Sequence, residues 1–376
     1  MPLPAITTFD TPLQTPSPYY FGSGIAGQFP QYLNRREFDR CFLVTSPKLL
    51  QLIGQPLLKA IDAAAVRCNT VLIDDAERNK DWDTLRTVCE ELTARGATRD
   101  SVLVAFGGGV IGNVTGLAAA LVYRGIRFVH VPTTVTAQTD STLSNKQAIN
   151  GAMGKNQFGV YHAPLFIWAD ADYPAREPVR QQKAGIVEGV KNVFISQPST
   201  GAADEMLDLW RKPERLAELL LWITRSKLDI LRQDPTELAS ALVLEYGHTF
   251  GHAIEWLGRG RLLHGEAISI GMCLAADLSH ALGHMSAEFR DAHYRILGQR
   301  LGTPTTLPGW IAPEALYETM LADNKRTRKG LRFLLLRRCG EFADAGGDRL
   351  ISADRSIVLQ VLEESRSRSA EVAVRP

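Results

Sequence analysis

Ser101-Val102-Leu103-Val104-Ala105-Phe106 runs without a break into Gly107-Gly108-Gly109-Val110-Ile111-Gly112, and an uncharged stretch continues from Val114 to Val122. A short apolar run, a G-x-G-x-x-G spacing and then a good helical segment read as a buried strand, a tight turn and a helix. In that context Gly107, Gly108, Gly109 and Gly112, with Asn113 behind them, leave backbone amides free to approach a pyrophosphate at the positive end of a helix. A plain β-α turn is the alternative for the glycines taken alone.

Outward from this turn the same alternation repeats. Cys41–Ser46, Thr70–Asp75, Phe128–Pro132 and Leu165–Asp170 are short apolar runs bounded by turn residues, which predicts strands. Trp82, Leu85, Val88 and Leu92 recur at helical spacing and stop at Gly96, a C-capping residue. Strand, helix, strand, helix predicts an α/β layer of Rossmann-like type, a mostly parallel sheet covered on both faces. From Asp172 the pattern changes: Pro174 and Pro178 punctuate a link, and long helical periodicities follow with little strand signal until Leu331–Leu336. A chain of 376 residues exceeds what one hydrophobic core usually organises. Two domains are expected, an α/β nucleotide domain over 1–175 and a mainly α-helical domain over 176–376.

With 45% hydrophobic and 22% charged residues the composition is that of an ordinary globular protein, and a net charge of +1 gives no global attraction to nucleic acid or anionic lipid. An anionic ligand must be held by a local site. No basic, apolar leader opens the sequence and no run of about 18 uncharged apolar residues occurs, so a cytoplasmic protein without membrane or nucleic-acid partners is expected. Cys41, Cys68, Cys89, Cys273 and Cys339 show no C-x-x-C spacing, which predicts reduced thiols.

Leu244-Glu245-Tyr246-Gly247-His248-Thr249-Phe250-Gly251-His252 is followed, after an arginine-rich break, by Leu263-His264-Gly265-Glu266. On a helix His248 and His252 leave one face a turn apart, and His264 can return to that face from the next segment. Three imidazoles beside acids point to a metal site or a proton relay; a core or capping role is the alternative for any single one. Upstream, Glu188 and Lys191 fall on one face of a predicted helix over Gln182–Phe194 that Ile186, Val187, Val190 and Val193 make largely apolar. An i, i+3 salt bridge on a solvated face is one reading. Burial favours another, because a buried glutamate needs a cation. In the nucleotide half, the acidic residue that dehydrogenase domains carry about 20 positions after the glycines is missing. Phe128–Pro132 ends instead in Thr133-Thr134, hydroxyl donors at the carboxyl edge of the sheet, so a standard dehydrogenase domain is not expected.

The glycine turn, Tyr123-Arg124-Gly125, Val131-Pro132-Thr133-Thr134, Asp140-Ser141 with Lys146, Gly154-Lys155-Asn156, Glu188 with Lys191, and the three-histidine segment fall in one order. Together they resemble the sugar phosphate cyclases, the family of 3-dehydroquinate synthase. Further upstream, Glu77 and Lys80 look like the family's Glu-x-x-Lys beside the nucleotide. The resemblance implies an NAD-binding α/β domain, with Asp140 among its cofactor residues, and a helical domain holding one divalent ion on Glu188, His248 and His264. Two imidazoles and a carboxylate suit Zn2+ and Co2+ alike. Spacing alone makes His252 a ligand, whereas the resemblance makes it a hydrogen-bonding partner of the reacting sugar. Lys191, Lys146 and Glu245, with Tyr246 in support, are expected to serve catalysis and proton transfer. Lys155, Asn156, Lys325 and Arg326 are expected at the substrate phosphate, with Arg124 reaching in from the neighbouring subunit of a homodimer.

Dehydroquinate synthases carry, in the equivalent stretch, an arginine four residues before an asparagine, and that arginine recognises the substrate carboxylate; here the two places hold Ala241 and Glu245. A carboxylate substrate would meet one like charge and no guanidinium. Gly112-Asn113, Ser144-Asn145-Lys146-Gln147, Glu245-Tyr246 and Asp323-Asn324-Lys325-Arg326 look like the 2-deoxy-scyllo-inosose synthase branch, which turns glucose 6-phosphate into the carbocycle of aminocyclitol antibiotics. Two places depart. Ser46 stands at a strand end where the family often has an acid for the adenosine ribose, and the segment Thr327–Phe333 resembles dehydroquinate synthase. The expected activity is an NAD- and metal-dependent cyclisation of glucose 6-phosphate with phosphate release. The alternatives are 3-dehydroquinate synthase, 2-epi-5-epi-valiolone synthase and, more remotely, a metal-dependent polyol dehydrogenase.

Overall fold

The computed structural model describes residues 3–34, 37–64, 66–152, 154–234, 240–323, 331–344 and 349–374. The chain forms two compact units, one from Met1–Gln182 with Pro213–Thr236, the other from Lys183–Lys212 with Glu237–Pro376. The division expected after residue 175 therefore falls after 182, inside helix Val179–Ser196, and helix Leu216–Gln233 packs with the first unit although its position assigned it to the second. Helical periodicity does not say which core a helix joins. Here a buried cation on that helix, Lys227, is tied to Asp140 of the first unit.

The strands of the first unit are β1 Thr7–Asp10, β2 Pro18–Gly22, β3 Cys41–Thr45, β4 Cys68–Leu72, β5 Val102–Gly107, β6 Arg127–Pro132, β7 Lys146–Gly151, β8 Gly154–Tyr161 and β9 Ile167–Asp170. A seven-stranded sheet runs β1-β2-β9-β6-β5-β3-β4. Every neighbouring pair is parallel except β1 with β2. Parallel strands are buried on both faces and so read as unbroken apolar runs. Side chains alternate across them. Phe42, Val44, Leu103 and Ala105 join Leu85, Val88, Leu92, Ile111 and Val114 on one face. Cys41, Leu43, Val102, Val104 and Phe106 join Phe29, Leu57 and Ile61 on the other. Strand order reverses between β3 and β5, the switch point at whose carboxyl edge open α/β sheets bind ligands, and the glycine turn leaves β5 there. The antiparallel hairpin of β7 and β8 escapes the apolar-run criterion, because its inward positions include the polar Gln147.

The second unit is mainly helical. Its central element is helix His264–Ala281, in which every residue from Gly265 to Ser279 is buried. The strand expected over Leu331–Leu336 is split: Arg332–Leu334 pairs with Leu350–Ser352, and Leu336–Arg338 with Glu341–Phe342. Among the described residues no helix is long and apolar enough to cross a membrane, and the five cysteines are free thiols.

Candidate functional site

Glycines decide how the metal-side residues of the second unit meet. Gly247 holds φ +77°, a left-handed conformation open to glycine, and turns the chain into helix His248–Gly258. A Cβ on Gly265 would lie 1.8 Å from the Ala184 carbonyl oxygen, and one on Gly271 2.2 Å from that of Gly247. These approaches seat helix His264–Ala281 against helix His248–Gly258 and against the Ala184 turn of helix Val179–Ser196. Glu188, His248 and His264, from three elements, therefore converge, with one ligating atom of each within 4.8 Å of the others.

Glu188 Oε1 stands 3.5 Å from His264 Nε2 and 3.8 Å from His248 Nε2. The far ring nitrogens are engaged: His248 Nδ1 lies 3.1 Å from the Tyr246 carbonyl oxygen and His264 Nδ1 2.9 Å from Glu255 Oε2. A carbonyl and a carboxylate only accept, so each Nδ1 carries the proton and each Nε2 is left to face inward. Glu188 is almost fully buried; its Oε2 accepts from Lys191 Nζ, while its Oε1 has no hydrogen-bond partner among the described residues. That oxygen faces the Nε2 atoms of the two histidines, a buried negative site that a bound cation would satisfy. The set fits a divalent ion of the Zn2+ or Co2+ kind.

Electrostatics agree. Burial lowers the His248 pKa to about 3, and the Lys191 ammonium adds to the effect. Burial also opposes protonation of His264, but Glu255 and Glu188 outweigh it and raise that pKa to about 10. Burial would raise the Glu188 carboxyl, yet Lys191, His264 and His248 hold it well below the usual carboxylate range. A cation entering the cluster would compete with a proton on His264.

The His252 ring lies 5.0 Å from His248 and 6.0 Å from His264 between centroids, beside the three-atom set and outside it. Half-buried Glu245 acts electrostatically on His248. Tyr246, expected in support of proton handling, has a fully buried ring, and its hydroxyl lies 2.9 Å from His293 Nε2. What Tyr246 gives the site is the carbonyl that orients His248. Lys325 and Arg326 lie outside the described residues.

In the first unit, Gly108 caps helix Gly109–Leu121 without a side-chain cap, so the first-turn amides are left for a ligand. Thr133 donates its amide to the Gly107 carbonyl at 3.0 Å, and its buried hydroxyl has no partner among the described residues. The Thr134 hydroxyl accepts from the Ala137 amide at 3.0 Å, and its methyl lies 3.2 Å from where a Cβ on Gly108 would stand. Gly107 and Gly112 serve packing: a Cβ would lie 2.5 Å from Ile111 Cδ1 and 3.2 Å from His130 Cε1 respectively. Asn113 is engaged at both ends, donating to the Gly109 carbonyl at 2.9 Å and accepting from the Ala148 amide at 3.0 Å, so it ties the glycine helix to β7.

Residues expected at the cofactor and at the phosphate prove to form one network. Lys155 Nζ lies 3.0 Å from Glu77 Oε1, Asn150 donates to the same oxygen at 2.9 Å, and Lys80 donates to Asn156 Oδ1 at 2.5 Å. Burial would raise the Glu77 pKa, but Lys155 and Lys80 lower it. Lys146 opens β7 with an exposed side chain. Arg124 is exposed in the left-handed turn before β6, at the amino edge of the sheet and opposite the glycine turn, so a single chain does not bring it to Lys155.

Three residues of these sites escaped sequence reasoning. Lys227 is buried and donates to Asp140 Oδ1 at 2.6 Å and to its carbonyl at 3.0 Å. A cation on an amphipathic helix reads as solvated, and its partner lies 87 positions away. Glu255 carried a usable signal, seven residues after His248 and thus on the same helix face. Asp75 accepts from the Ser46 hydroxyl at 3.2 Å, which returns a carboxylate to the strand end where Ser46 had removed one.

The sequence matches 3-dehydroquinate synthase N-terminal over residues 70–184 and 3-dehydroquinate synthase C-terminal over residues 183–326. It is 37% identical over 341 residues to 2-deoxy-scyllo-inosose synthase of Streptomyces ribosidificus, covering 88% of this chain and 86% of that one. It is also 37% identical over 328 residues to 3-dehydroquinate synthase of Methylococcus capsulatus, covering 86% and 90%. A crystal structure of 2-deoxy-scyllo-inosose synthase complexed with carbaglucose-6-phosphate, NAD+ and Co2+ matches with a TM-score of 0.86 at 31% identity, over 96% of this chain and 100% of that one. Identity alone does not separate the two activities, and individual residues must. The chain belongs to the 3-dehydroquinate synthase family of sugar phosphate cyclases.

Proposed function

We propose that this family member is a phosphate-eliminating carbon-oxygen lyase that converts D-glucose 6-phosphate to 2-deoxy-scyllo-inosose, with NAD and one Co2+ or Zn2+ ion as cofactors. The observation that carries the substrate choice is Glu245, close enough to His248 to act on its charge, in a stretch with alanine at 241. A substrate carboxylate would meet repulsion there and no guanidinium, while glucose 6-phosphate has none to place. The solved relative that holds carbaglucose-6-phosphate, NAD+ and Co2+ supports the same choice.

When bound, NAD supplies a reusable hydride acceptor for C4 of the opened sugar, and the divalent ion a Lewis acid for its hydroxyl oxygens. With C4 a ketone, the C5 proton becomes acidic enough for phosphate to leave from C6; return of the same hydride to C4 would then leave the C5–C6 enol, whose C6 adds to the C1 aldehyde and closes the ring. Glu188, His248 and His264 hold the ion, and Lys191 keeps Glu188 ionised. His252 bonds the sugar hydroxyls, and Glu245 and Lys146 move protons. Gly108, Gly109, Thr133, Thr134, Glu77 and Lys80 hold the nucleotide, and Lys227 holds Asp140 in place beside it. Lys155, Asn156, Lys325 and Arg326 take the phosphate, with Arg124 supplied by the second subunit of a homodimer. The enzyme works in the cytoplasm, making the carbocycle of aminocyclitol antibiotics.

The test incubates the protein with NAD, Co2+ and, separately, glucose 6-phosphate, sedoheptulose 7-phosphate and the 3-dehydroquinate synthase substrate. Free phosphate should appear with the first, without net change in nicotinamide absorbance. Phosphate from only one of the other two overturns the substrate, and stoichiometric NADH without phosphate makes the protein a polyol dehydrogenase.

A further inference from the structure

We infer that Glu255 is the positioning residue of the metal centre, the group that fixes the His264 ring and sets its strength as a donor. The inference rests on the metal reading above. The two imidazoles are held unequally. His248 is nearly buried, its side chain 10% exposed, and packing together with the Tyr246 carbonyl orients its ring. His264 begins its helix with a side chain 31% exposed, so packing leaves its ring room to turn. Glu255 removes that freedom. It is buried in the last turns of helix His248–Gly258, and its Oε2 accepts from His264 Nδ1 at 2.9 Å.

The bond spans the Arg259-Gly260 turn, where both residues are left-handed, so it also closes the connection between the two ligand-bearing helices. With Nδ1 pinned, Nε2 can face only Glu188 Oε1, 3.5 Å away. A carboxylate behind an imidazole makes the opposite nitrogen a better donor than a neutral carbonyl does, and loss of such a partner costs about 10- to 100-fold in metal affinity. The centre therefore has one ligand set by burial and one set by Glu255.

The experiment strips the full-length protein of metal and titrates Co2+ against a competing fluorescent chelator for wild type, Glu255→Gln and Glu255→Leu, recording the visible Co2+ bands. Glutamine keeps an acceptor without the charge and should weaken binding about tenfold; leucine removes the acceptor and should weaken it about 100-fold with altered bands. NAD affinity, a property of the first unit, should stay unchanged in both. If leucine prevents folding by circular dichroism, the glutamine variant decides alone. Variants that bind Co2+ within about twofold of wild type and with its spectrum overturn the inference and leave the function standing. A wild-type protein that binds no Co2+ overturns both.

Discussion

The two halves of this enzyme build their sites from different materials. In the helical unit the centre consists of a few named side chains, Glu188, His248 and His264, with Lys191, Glu255 and the Tyr246 carbonyl behind them. In the sheet unit the glycine turn offers backbone amides and small hydroxyls, and its charged residues are tied to one another as Glu77 to Lys155 and Asp140 to Lys227. A site of few side chains fails when one is lost. A site of backbone and shared charges should lose function by degrees.

The sharpest way to break that contrast is His264→Ala. Phosphate release from glucose 6-phosphate should fall at least about a thousandfold, since only Glu188 and His248 would remain to hold the ion that polarises the sugar oxygens. NAD binding, followed by fluorescence titration, should persist. Retained turnover would remove His264 from the centre. Next in size is Gly265→Ala, whose new methyl would stand 1.8 Å from the Ala184 carbonyl oxygen. Separation of the two helices should cost about 3 kcal/mol in urea unfolding and weaken Co2+ binding as well. An unchanged midpoint would mean that the helices part easily and that the glycine does not set the ligand geometry.

How much of this was readable in the sequence follows the same division. Strands β3, β5 and β6 announce themselves because burial on both faces leaves unbroken apolar runs; the imidazoles stand out by their spacing beside acids, but spacing alone takes His252 as a ligand, and the set Glu188, His248 and His264 comes from the family resemblance. The hairpin β7 and β8 stays hidden because Gln147, not an aliphatic residue, is buried on it. The resemblance puts Tyr246 in support of proton transfer, while the meeting of its buried hydroxyl with His293, 47 positions on, is not legible in the sequence. Lys227 stayed hidden because its charge is neutralised by a residue remote in sequence, and no local pattern encodes that meeting. Spacing reads what one element does alone; partners across the fold need coordinates.

A pH series sharpens the contrast within the metal centre itself. Because the folded His264 pKa is raised to about 10, its pairing with Glu255 and Glu188 stabilises the metal-free protein fully below the unfolded value of about 6.5. That contribution is lost as pH rises toward 10. Co2+ affinity should move the other way, rising about tenfold per pH unit between about 7 and 9 as the competing proton is shed. His248, lowered to about 3, adds no slope there. Calorimetry in buffers of different ionisation enthalpy should count about one proton released per ion. A pH-independent affinity would show that His264 is already neutral and that Glu255 holds it without charging it.

The smallest expected effect tests the sheet unit at its least conventional point. Ser46 stands where an acid usually meets the adenosine ribose, and its hydroxyl donates to Asp75 Oδ2 at 3.2 Å, so the carboxylate comes from the end of β4 instead of β3. A carboxylate there accepts from ribose hydroxyls and repels a 2′-phosphate. Asp75→Asn keeps the size and one acceptor but loses the charge, so NAD affinity should drop only about fivefold. Discrimination against NADP should fall with it, since the repulsion goes. Both are read by titrating the two nucleotides against protein fluorescence. If neither affinity moves, the ribose is held by backbone alone, and the sheet unit is more tolerant of side-chain loss than the tied charges of Glu77 and Asp140 imply.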